Sequence, residues 1–238
     1  VCSALWPTLS SVSRMEQRSA EWFAARLGRI TSTSAKAIIN PSARSDSATT
    51  LMGELVREIA TADYKDVPQT FWMRHGEETE PLALSAYELY TGVKLAAGGF
   101  TVSDRHHLLA DSPDAGVGLF DVVVEAKCPS PDEHGRVLVA RAAKPEYLWQ
   151  FAWHMMVSGA GWCDYVSYCP DYPEHLRLFI RRYTLLDIFP DTVKKSRKKD
   201  ESDQTIISAE HIGAAWGKIG NFLDTYQNHL TRLGLTLE

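Results

Sequence analysis

The spacing of the apolar residues changes at Gly92, and this change constrains the fold more than any other feature of the chain. Before Gly92 the apolar residues recur every three or four positions, as in helices; after it they form short stretches bounded by Gly, Asp or Pro, as in strands. The predicted helices cover 16–28, a segment beginning near Ala35, 49–62, 81–89 with Pro81 in its first turn, and 146–157. The predicted strands cover 93–102, 107–110, 119–126, 162–168 and 176–183. Helices followed by strands, with a helix between strands, indicate an α/β or α+β core with one mixed sheet.

Length and composition are those of an ordinary globular protein. Of its 238 residues, 45% are hydrophobic and 23% are charged, which excludes disorder, a collagen-like chain and a small disulfide scaffold. No apolar run reaches the roughly 18 residues of a membrane span, so no membrane partner is expected. Because repeats and low-complexity linkers are absent from the sequence, we expect one domain over 16–238 and an arm over 1–15 that does not resemble a signal peptide.

Charge and cysteine use bear on partners and location. The formal net charge of −5 does not favour a nucleic-acid partner, although a local basic surface can still bind DNA. The four cysteines include no CxxC pair, so we expect reduced thiols in a cytoplasmic protein and neither a zinc nor an iron–sulfur site. The basic run at 194–199 is expected to be a solvated loop, with contact to a DNA backbone as the alternative.

The carboxyl-terminal segment carries an apolar stripe. Its apolar residues alternate by four and three positions, which predicts a helix of about six turns with one apolar face. We expect this face to pack on its own domain; contact with another subunit is the alternative. The stripe consists of Ile212, Trp216, Ile219, Leu223, Tyr226, Leu230 and Leu233.

The segment around Glu125 carries residues suited to chemistry on phosphate. Side chains alternate between the faces of a strand, so Glu125 and Lys127 point the same way, and a hairpin would bring Asp114 beside Glu125. Two carboxylates and a backbone carbonyl form an oxygen cage that suits Mg²⁺, and Lys127 can orient or deprotonate a water and offset phosphate charge. This is the set that phosphodiester hydrolysis needs. An ordinary surface ion pair is the alternative for Glu-x-Lys alone, and Asp111 and Asp121 are alternative carboxylates.

Several motifs in a fixed order resemble one protein family. Ser-Pro-Asp at 112–114 followed by Glu-Ala-Lys-Cys-Pro at 125–129 resembles the D-(x)n-E-x-K signature of the PD-(D/E)xK nucleases. The likeness is greatest to their lambda exonuclease branch, the YqaJ-like viral recombinases, and it extends from Glu16 to about Tyr183. The further matching motifs are Glu16-Gln17 with Trp22 and 26–33, then 76–81, then 147–150.

The resemblance implies a restriction-endonuclease-like core, in which helices flank a central mixed β-sheet. It also implies a metal centre. Asp114, Glu125 and the carbonyl of Ala126 would bind two Mg²⁺ ions, which Mn²⁺ could replace. Lys127 would act on the nucleophilic water.

The resemblance gives roles to five other residues. Glu80 would assist the second metal or its waters, and a carboxylate favoured by the helix dipole is the alternative. Gln150 would help to orient Lys127 or the substrate, and a polar residue at the edge of an amphipathic helix is the alternative. Arg26 would hold the 5′-phosphate of the digested strand, because its planar guanidinium can meet a terminal phosphate with two hydrogen bonds. Thr31 and Thr33 would donate their hydroxyls to the same phosphate or, alternatively, cap a helix.

The implied activity is digestion of one strand of linear double-stranded DNA in the 5′→3′ direction. This activity would release mononucleotides and leave a 3′ single-stranded overhang for homologous recombination. Implied partners are DNA ends, further copies of the chain in a homotrimeric ring, and a single-strand annealing protein, in a bacterial or phage-infected cell. An endonuclease on the same core and a catalytically inactive DNA-binding scaffold are the alternatives.

The chain departs from the family pattern at two positions. Ala115 follows Asp114 where glycine is frequent, and His154 lies four residues after Gln150, where related branches often carry tyrosine. Three other histidines near the site in sequence have no ligand spacing, so we expect surface or structural roles for them. They are His106, His107 and His134.

Overall fold

The structure is a computed structural model that describes residues 15, 17–40, 45–63, 69–118, 120–189 and 201–237. Ser45 and 201–209 are described by their backbone alone. The expected arm apart from Met15, the motif residue Glu16 and the basic run at 194–199 lie outside the described residues. Among the described helices, none combines the length and the apolar character needed to cross a membrane.

In the described part of the chain, an amino-terminal group of helices is followed by a group of short strands, then by a pair of helices, a pair of strands and the carboxyl-terminal helices. The helices are α1 Ala20–Arg26, α2 Ala35–Ile39, α3 Ser45–Thr61, α4 Phe71–Thr91, α5 Pro131–Ala140, α6 Leu148–Ser158, α7 Leu185–Ile188 and α8 Glu201–Leu233. The strands are β1 Leu95–Ala97, β2 Thr101–Val102, β3 Ala110–Asp111, β4 Ala115–Val117, β5 Val122–Lys127, β6 Trp162–Tyr168 and β7 Leu178–Tyr183.

Five strands form one mixed sheet in the order β1-β4-β5-β6-β7. The β5–β6 pair is parallel, and its crossover contains α5 and α6; the other pairs are antiparallel. Strands β2 and β3 form a separate antiparallel pair. The mixed sheet flanked by helices that the sequence predicted is confirmed.

The two faces of the sheet pack into two apolar clusters, because successive side chains of β5 point to opposite sides. The larger cluster joins the sheet to α2, α3, α6 and α8, and the smaller one joins it to α4. Members of the larger cluster include Ile30, Ile39, Leu55, Val123, Phe151, Tyr165, Ile219 and Tyr226. The smaller cluster contains Ala83, Tyr87, Ala115, Val124, Ala126, Cys128 and Val166.

The apolar stripe of α8 packs against its own chain, as expected. Ile219, Leu223, Tyr226 and Leu230 are buried in the larger cluster. The alternative, contact of this stripe with another subunit, is therefore wrong for these four side chains.

Two sequence expectations about α4 and β1 differ from the structure. Pro81 lies in the interior of α4, because the helix begins ten residues earlier, where the Thr70 hydroxyl accepts from the Met73 N–H and caps it. The predicted strand 93–102 is divided into β1 and β2. Gly98 explains the division: a Cβ there would lie 1.8 Å from the Pro113 carbonyl oxygen, so the chain passes tightly against the loop that carries Asp114.

Candidate active site

Asp114 reaches the end of β5 because its loop leads directly into β4. Strands β4 and β5 pair with Ala115 opposite Val124, so the residue before Ala115 lies next to the residues after Val124. Asp114 Oδ2 accepts a hydrogen bond from the Ala126 N–H at 2.8 Å. Because the N–H and C=O of a strand residue point to the same side, the Ala126 carbonyl also faces the side of Asp114.

Glu125 is the buried centre of the site, with 1% of its surface exposed. Its Oε1 accepts hydrogen bonds from Lys127 Nζ and, at 2.6 Å, from Gln150 Nε2 on α6. Lys127 keeps a quarter of its side chain exposed, so its ammonium group lies between the buried carboxylate and solvent. The structure therefore brings together Asp114, Glu125, Lys127 and Gln150.

The other oxygen of Glu125 faces a histidine that the sequence analysis had noted only as a departure from the family pattern. His154 Nε2 lies 3.0 Å from Glu125 Oε2, and His154 Nδ1 lies 2.8 Å from Asp111 Oδ1. Asp111 is thus engaged by the imidazole, whereas Asp121 is exposed at the far end of β5. Asp114 contacts the backbone of β5 at Ala126, directly beside Glu125.

The charges of the site are not fully compensated. Burial and the charge of Glu125 raise the pKa of Asp114 well above its ordinary value. Burial also acts to raise the pKa of Glu125, but the facing cations Lys127 and His154 outweigh it and lower this pKa to about 2. Burial acts to lower the pKa values of Lys127 and His154, yet the facing carboxylates raise both, that of His154 to about 10. A nearby cation would favour the charged form of Asp114, because an opposite charge lowers the pKa of a carboxyl group.

Glu80 belongs to the same electrostatic environment from the α4 side. Burial raises its pKa; the charge of Glu125 acts in the same direction, while Arg18 and Lys127 oppose it. No direct hydrogen bond of Glu80 to the other site residues is found in the described part of the chain. Its position suits an acidic group that acts at a distance, through an ion or water.

The donor set fits a hard divalent cation that keeps some of its waters. Within the described residues, no three or more His, Cys, Asp and Glu side chains converge in a way that would hold a metal ion by themselves. Asp114, Glu125 and the Ala126 carbonyl instead offer oxygens, which are the ligands that Mg²⁺ and Mn²⁺ accept. A Zn²⁺ site of several nitrogen or sulfur ligands does not fit this arrangement.

A cavity of about 580 Å³ is lined by Arg26, Thr31 and Thr33 together with residues of α3. Arg26 is only 7% exposed and packs over the Trp22 ring at 4.2 Å. Its terminal nitrogen donates to Thr31 Oγ1 at 3.0 Å, and Thr31 Oγ1 lies 3.2 Å from Thr33 Oγ1. The Arg26 Nε is also buried and has no hydrogen-bond partner in the described part of the chain.

The helix-capping alternative does not account for Thr31. Thr31 precedes the short 3₁₀ turn Ser32–Ser34, but its side chain makes no capping hydrogen bond there. Its hydroxyl is instead directed to Arg26 and Thr33.

Ser112 connects the Arg26 cavity to the carboxylate centre. Its hydroxyl oxygen accepts from Trp22 Nε1 at 3.1 Å and from Gln17 Nε2 at 3.3 Å. Gln17 also donates to the Pro113 carbonyl at 3.0 Å. The loop that carries Asp114 is thus tied to the residues around Arg26. Trp22 and Gln17 belong to the amino-terminal motif, but their contacts with Ser112 could not be read from the sequence.

Comparison with known proteins places these motifs in a family context. Residues 21–161, more than half of the chain, match the profile of the YqaJ-like viral recombinase domain. No curated protein matches the chain.

Solved structures show the same fold. The structure of an alkaline exonuclease (LHK-Exo) from Laribacter hongkongensis is 26% identical, covers 90% of this chain and 100% of its own, and superposes with a TM-score of 0.65. The complex of LHK-Exo with dAMP is 25% identical, with coverages of 91% and 98% and a TM-score of 0.67. A phage-related exonuclease from Haemophilus somnus 129PT, 12% identical over 86% of this chain and 96% of its own, shares the fold with a TM-score of 0.51.

Proposed function

The chain belongs to the YqaJ-like viral recombinase family, and on this premise we propose that it is an exodeoxyribonuclease acting on linear double-stranded DNA. The observation that carries the proposal is the connection of two sites. A buried carboxylate centre with a lysine is tied through Ser112 to a cavity lined by Arg26, Thr31 and Thr33. The related LHK-Exo, described as an alkaline exonuclease and solved with dAMP, supports this activity.

In our proposal, hydrolysis at the carboxylate centre depends on two Mg²⁺ ions, which Mn²⁺ can replace. When bound, the ions supply charge neutralisation at the phosphate and a nucleophilic water at neutral pH. Asp114, Glu125 and the Ala126 carbonyl would hold the ions, and Glu80 would assist from α4. Lys127 carries a positive charge because the facing carboxylates raise its pKa, so it orients the attacking water and offsets phosphate charge.

Gln150 has a supporting part in this proposal. It donates to Glu125 Oε1, the same oxygen that Lys127 contacts. Gln150 therefore holds the Glu125–Lys127 pair in one arrangement and aligns Lys127 with the substrate.

The Arg26 cavity gives the reaction its direction. The buried guanidinium and the hydroxyls of Thr31 and Thr33 bind a 5′-terminal phosphate, whose charge and geometry match this donor set. A strand anchored by its 5′ end would be digested 5′→3′ into 5′-mononucleotides. The opposite strand then remains as a 3′ single-stranded overhang for homologous recombination.

The proposed setting of the enzyme rests on analogy with the family. We propose a homotrimeric ring around DNA, a single-strand annealing protein as partner and the cytoplasm of a bacterial or phage-infected cell as location. A ring with basic groups turned toward its channel reconciles DNA binding with the net charge of −5.

One set of incubations tests the function. Linear duplex with a single 5′-phosphate, the same duplex without it and a covalently closed circle are each incubated with Mg²⁺ or with EDTA. We expect the phosphorylated linear duplex to release mononucleotides in Mg²⁺ but not in EDTA, and the closed circle to stay intact. Cleavage of the circle would support an endonuclease on the same core, and binding without any hydrolysis would support an inactive scaffold.

A further inference from the structure

A buried histidine lies behind the carboxylate centre and has no part in the function proposed above. His154, on α6, has no exposed surface and lies between two carboxylates. Its Nδ1 is 2.8 Å from Asp111 Oδ1 and its Nε2 is 3.0 Å from Glu125 Oε2. A tyrosine, which related branches often carry at this position, has one hydroxyl, whereas the two ring nitrogens of histidine can face two carboxylates at once.

The oxygens of Glu125 have separate partners. Oε1 accepts from Gln150 and from Lys127, a quarter of whose side chain is exposed. Oε2 lies within ion-pair distance of His154 Nε2, but the two atoms are not aligned as in a straight hydrogen bond. Neither Glu125 Oε2 nor His154 Nε2 has a hydrogen-bond partner elsewhere in the described part of the chain. A buried carboxylate oxygen without compensation is costly, so the imidazole determines how Glu125 is turned.

Asp111 fixes the imidazole in turn. It is 1% exposed and lies on β3, directly after Ala110, whose carbonyl accepts from the indole of Trp153 on α6 at 2.9 Å. Two contacts between β3 and α6 therefore hold the ring in one plane. The result is a continuous series of buried groups, Asp111–His154–Glu125, that ends at the carboxylate centre.

We propose that His154 is a positioning residue for divalent-ion binding. Anchored by Asp111, it holds Glu125 Oε2 inward, so that Oε1 stays directed at Lys127 and Gln150. This inference rests on the proposed function for the identity of the ion. Groups behind a metal ligand that fix its orientation commonly change ion affinity by about 10- to 100-fold when they are removed.

A purely structural role is the competing explanation, since a buried ion pair can act on folding alone. Two substitutions at the same position separate the roles. In His154→Asn the side-chain nitrogen takes the place of Nδ1, so the variant can contact Asp111 but cannot reach Glu125. In His154→Gln the nitrogen extends toward the place of Nε2 and can still contact Glu125.

His134 offers a matched control. It is also fully buried, with Nδ1 2.8 Å from Ser167 Oγ and Nε2 2.8 Å from the Leu176 carbonyl oxygen. By the same reasoning, His134→Asn keeps the Nδ1 contact with Ser167 and loses the Nε2 contact with the Leu176 carbonyl. Neither contact of His134 involves Glu125. It reports what the loss of a buried imidazole does to the fold.

The measurement is Mn²⁺ affinity by isothermal titration calorimetry without DNA, on variants whose melting temperature has been recorded. We expect His154→Asn to bind Mn²⁺ at least tenfold more weakly than the wild type, and His154→Gln to have an affinity between the two. We expect His134→Asn to bind Mn²⁺ as tightly as the wild type, despite a lower melting temperature. In the DNA assay, raising the Mg²⁺ concentration should restore much of the His154→Asn rate.

Two calorimetric outcomes overturn the inference: Mn²⁺ affinity of His154→Asn within twofold of wild type, or an equal loss in His134→Asn. A wild type that binds Mn²⁺ with the expected order of variants but does not hydrolyse DNA overturns the proposed function and leaves the positioning role supported. If His154→Asn does not fold, ring ¹⁵N NMR of the wild type replaces it. Mg²⁺ should shift the Nε2 resonance of His154, assigned by its absence from His154→Gln, and an unshifted resonance overturns the inference.

Discussion

At the scale of single residues, Lys127 separates hydrolysis from DNA binding. Its ammonium group contacts Glu125 and is held positive by Glu125 and Asp114. Replacing it with alanine removes the group that orients the attacking water but leaves the DNA-binding surface. We expect Lys127→Ala to lower the rate of nucleotide release by at least about 10²-fold, while fluorescence anisotropy in EDTA shows DNA affinity within a few-fold of wild type.

Lys144→Ala is the control for Lys127→Ala. Lys144 is 5.9 Å from the ring centre of Tyr147, the same ring that Lys127 approaches at 5.6 Å, but it is paired with Glu133 at 3.1 Å. We expect Lys144→Ala to remain active. Full activity in Lys127→Ala would remove this residue from the mechanism.

Arg26 determines end preference in the proposed function. A charge-assisted hydrogen bond contributes about 1.5–3 kcal/mol, so we expect Arg26→Ala to lower the preference for 5′-phosphorylated over 5′-hydroxyl ends by at least about tenfold. The ratio of the two initial rates is measured on the same variant, so a partial loss of folded protein cancels. An unchanged ratio would contradict the assignment of the 5′-phosphate to Arg26.

Some site residues could be predicted from the sequence and others could not, because only some of their contacts follow from local patterns. Glu125 and Lys127 follow from the two-residue period of a strand, and a hairpin predicts the approach of Asp114. The contact of His154 with Asp111 joins positions 43 residues apart, on α6 and β3, and no local pattern predicts which faces of these elements meet. The roles of the site residues stay predictions that the variants above test.

At the scale of secondary structure, the sequence predicted some elements with their bounds and missed others. Strand β6 has the predicted bounds, because its apolar run is bounded on both sides. Helix α5 was missed although it has local signals: Ser130 caps it and Pro131 is its first residue. Strand β4 was missed because its three residues are too few to show a period. Its pairing with β5, which brings Asp114 to the site, is determined by tertiary contacts.

The turn after α1 gives a prediction for an element junction. Gly28 has φ +67°, and a Cβ there would lie 2.4 Å from the Ile59 side chain on α3. Its N–H donates to Glu58 and its carbonyl accepts from the Tyr226 hydroxyl on α8. The left-handed conformation costs an L-residue about 1–2 kcal/mol and the contact with Ile59 adds to it. We expect Gly28→Ala to lower the free energy of unfolding by at least this amount in urea denaturation.

Gly53→Ala is the matched control, since Gly53 lies within α3 and a Cβ there would meet no atom within 4 Å. Alanine is favoured over glycine in a helix by about 1 kcal/mol, so this variant should be slightly more stable than wild type. Equal effects of the two substitutions would contradict the conformational explanation.

At the scale of the whole molecule, the core limits how copies of the chain can associate. The central residues of the α8 stripe are buried within the chain, so a ring must use other surfaces. The proposed homotrimer predicts a solution mass about three times the 26.6 kDa of one chain. Light scattering coupled to size exclusion, at the concentration of the activity assay, measures this mass. A monomeric mass there would contradict the ring.

The ring also makes a kinetic prediction that is independent of mass. A chain of net charge −5 that binds DNA on an open surface releases it readily as salt rises, because such binding depends on contacts between basic groups and phosphates. A closed ring stays threaded on its duplex even when these contacts weaken. In the test, an excess of unlabelled phosphorylated ends and salt are added after digestion of a labelled duplex has begun. We expect the enzyme to continue along each labelled molecule that it has already started, over many nucleotides. The control adds the unlabelled ends before the enzyme, which should suppress digestion of the label. If late addition stops digestion as quickly as early addition prevents it, the enzyme leaves the DNA after each cleavage and a threaded ring is excluded.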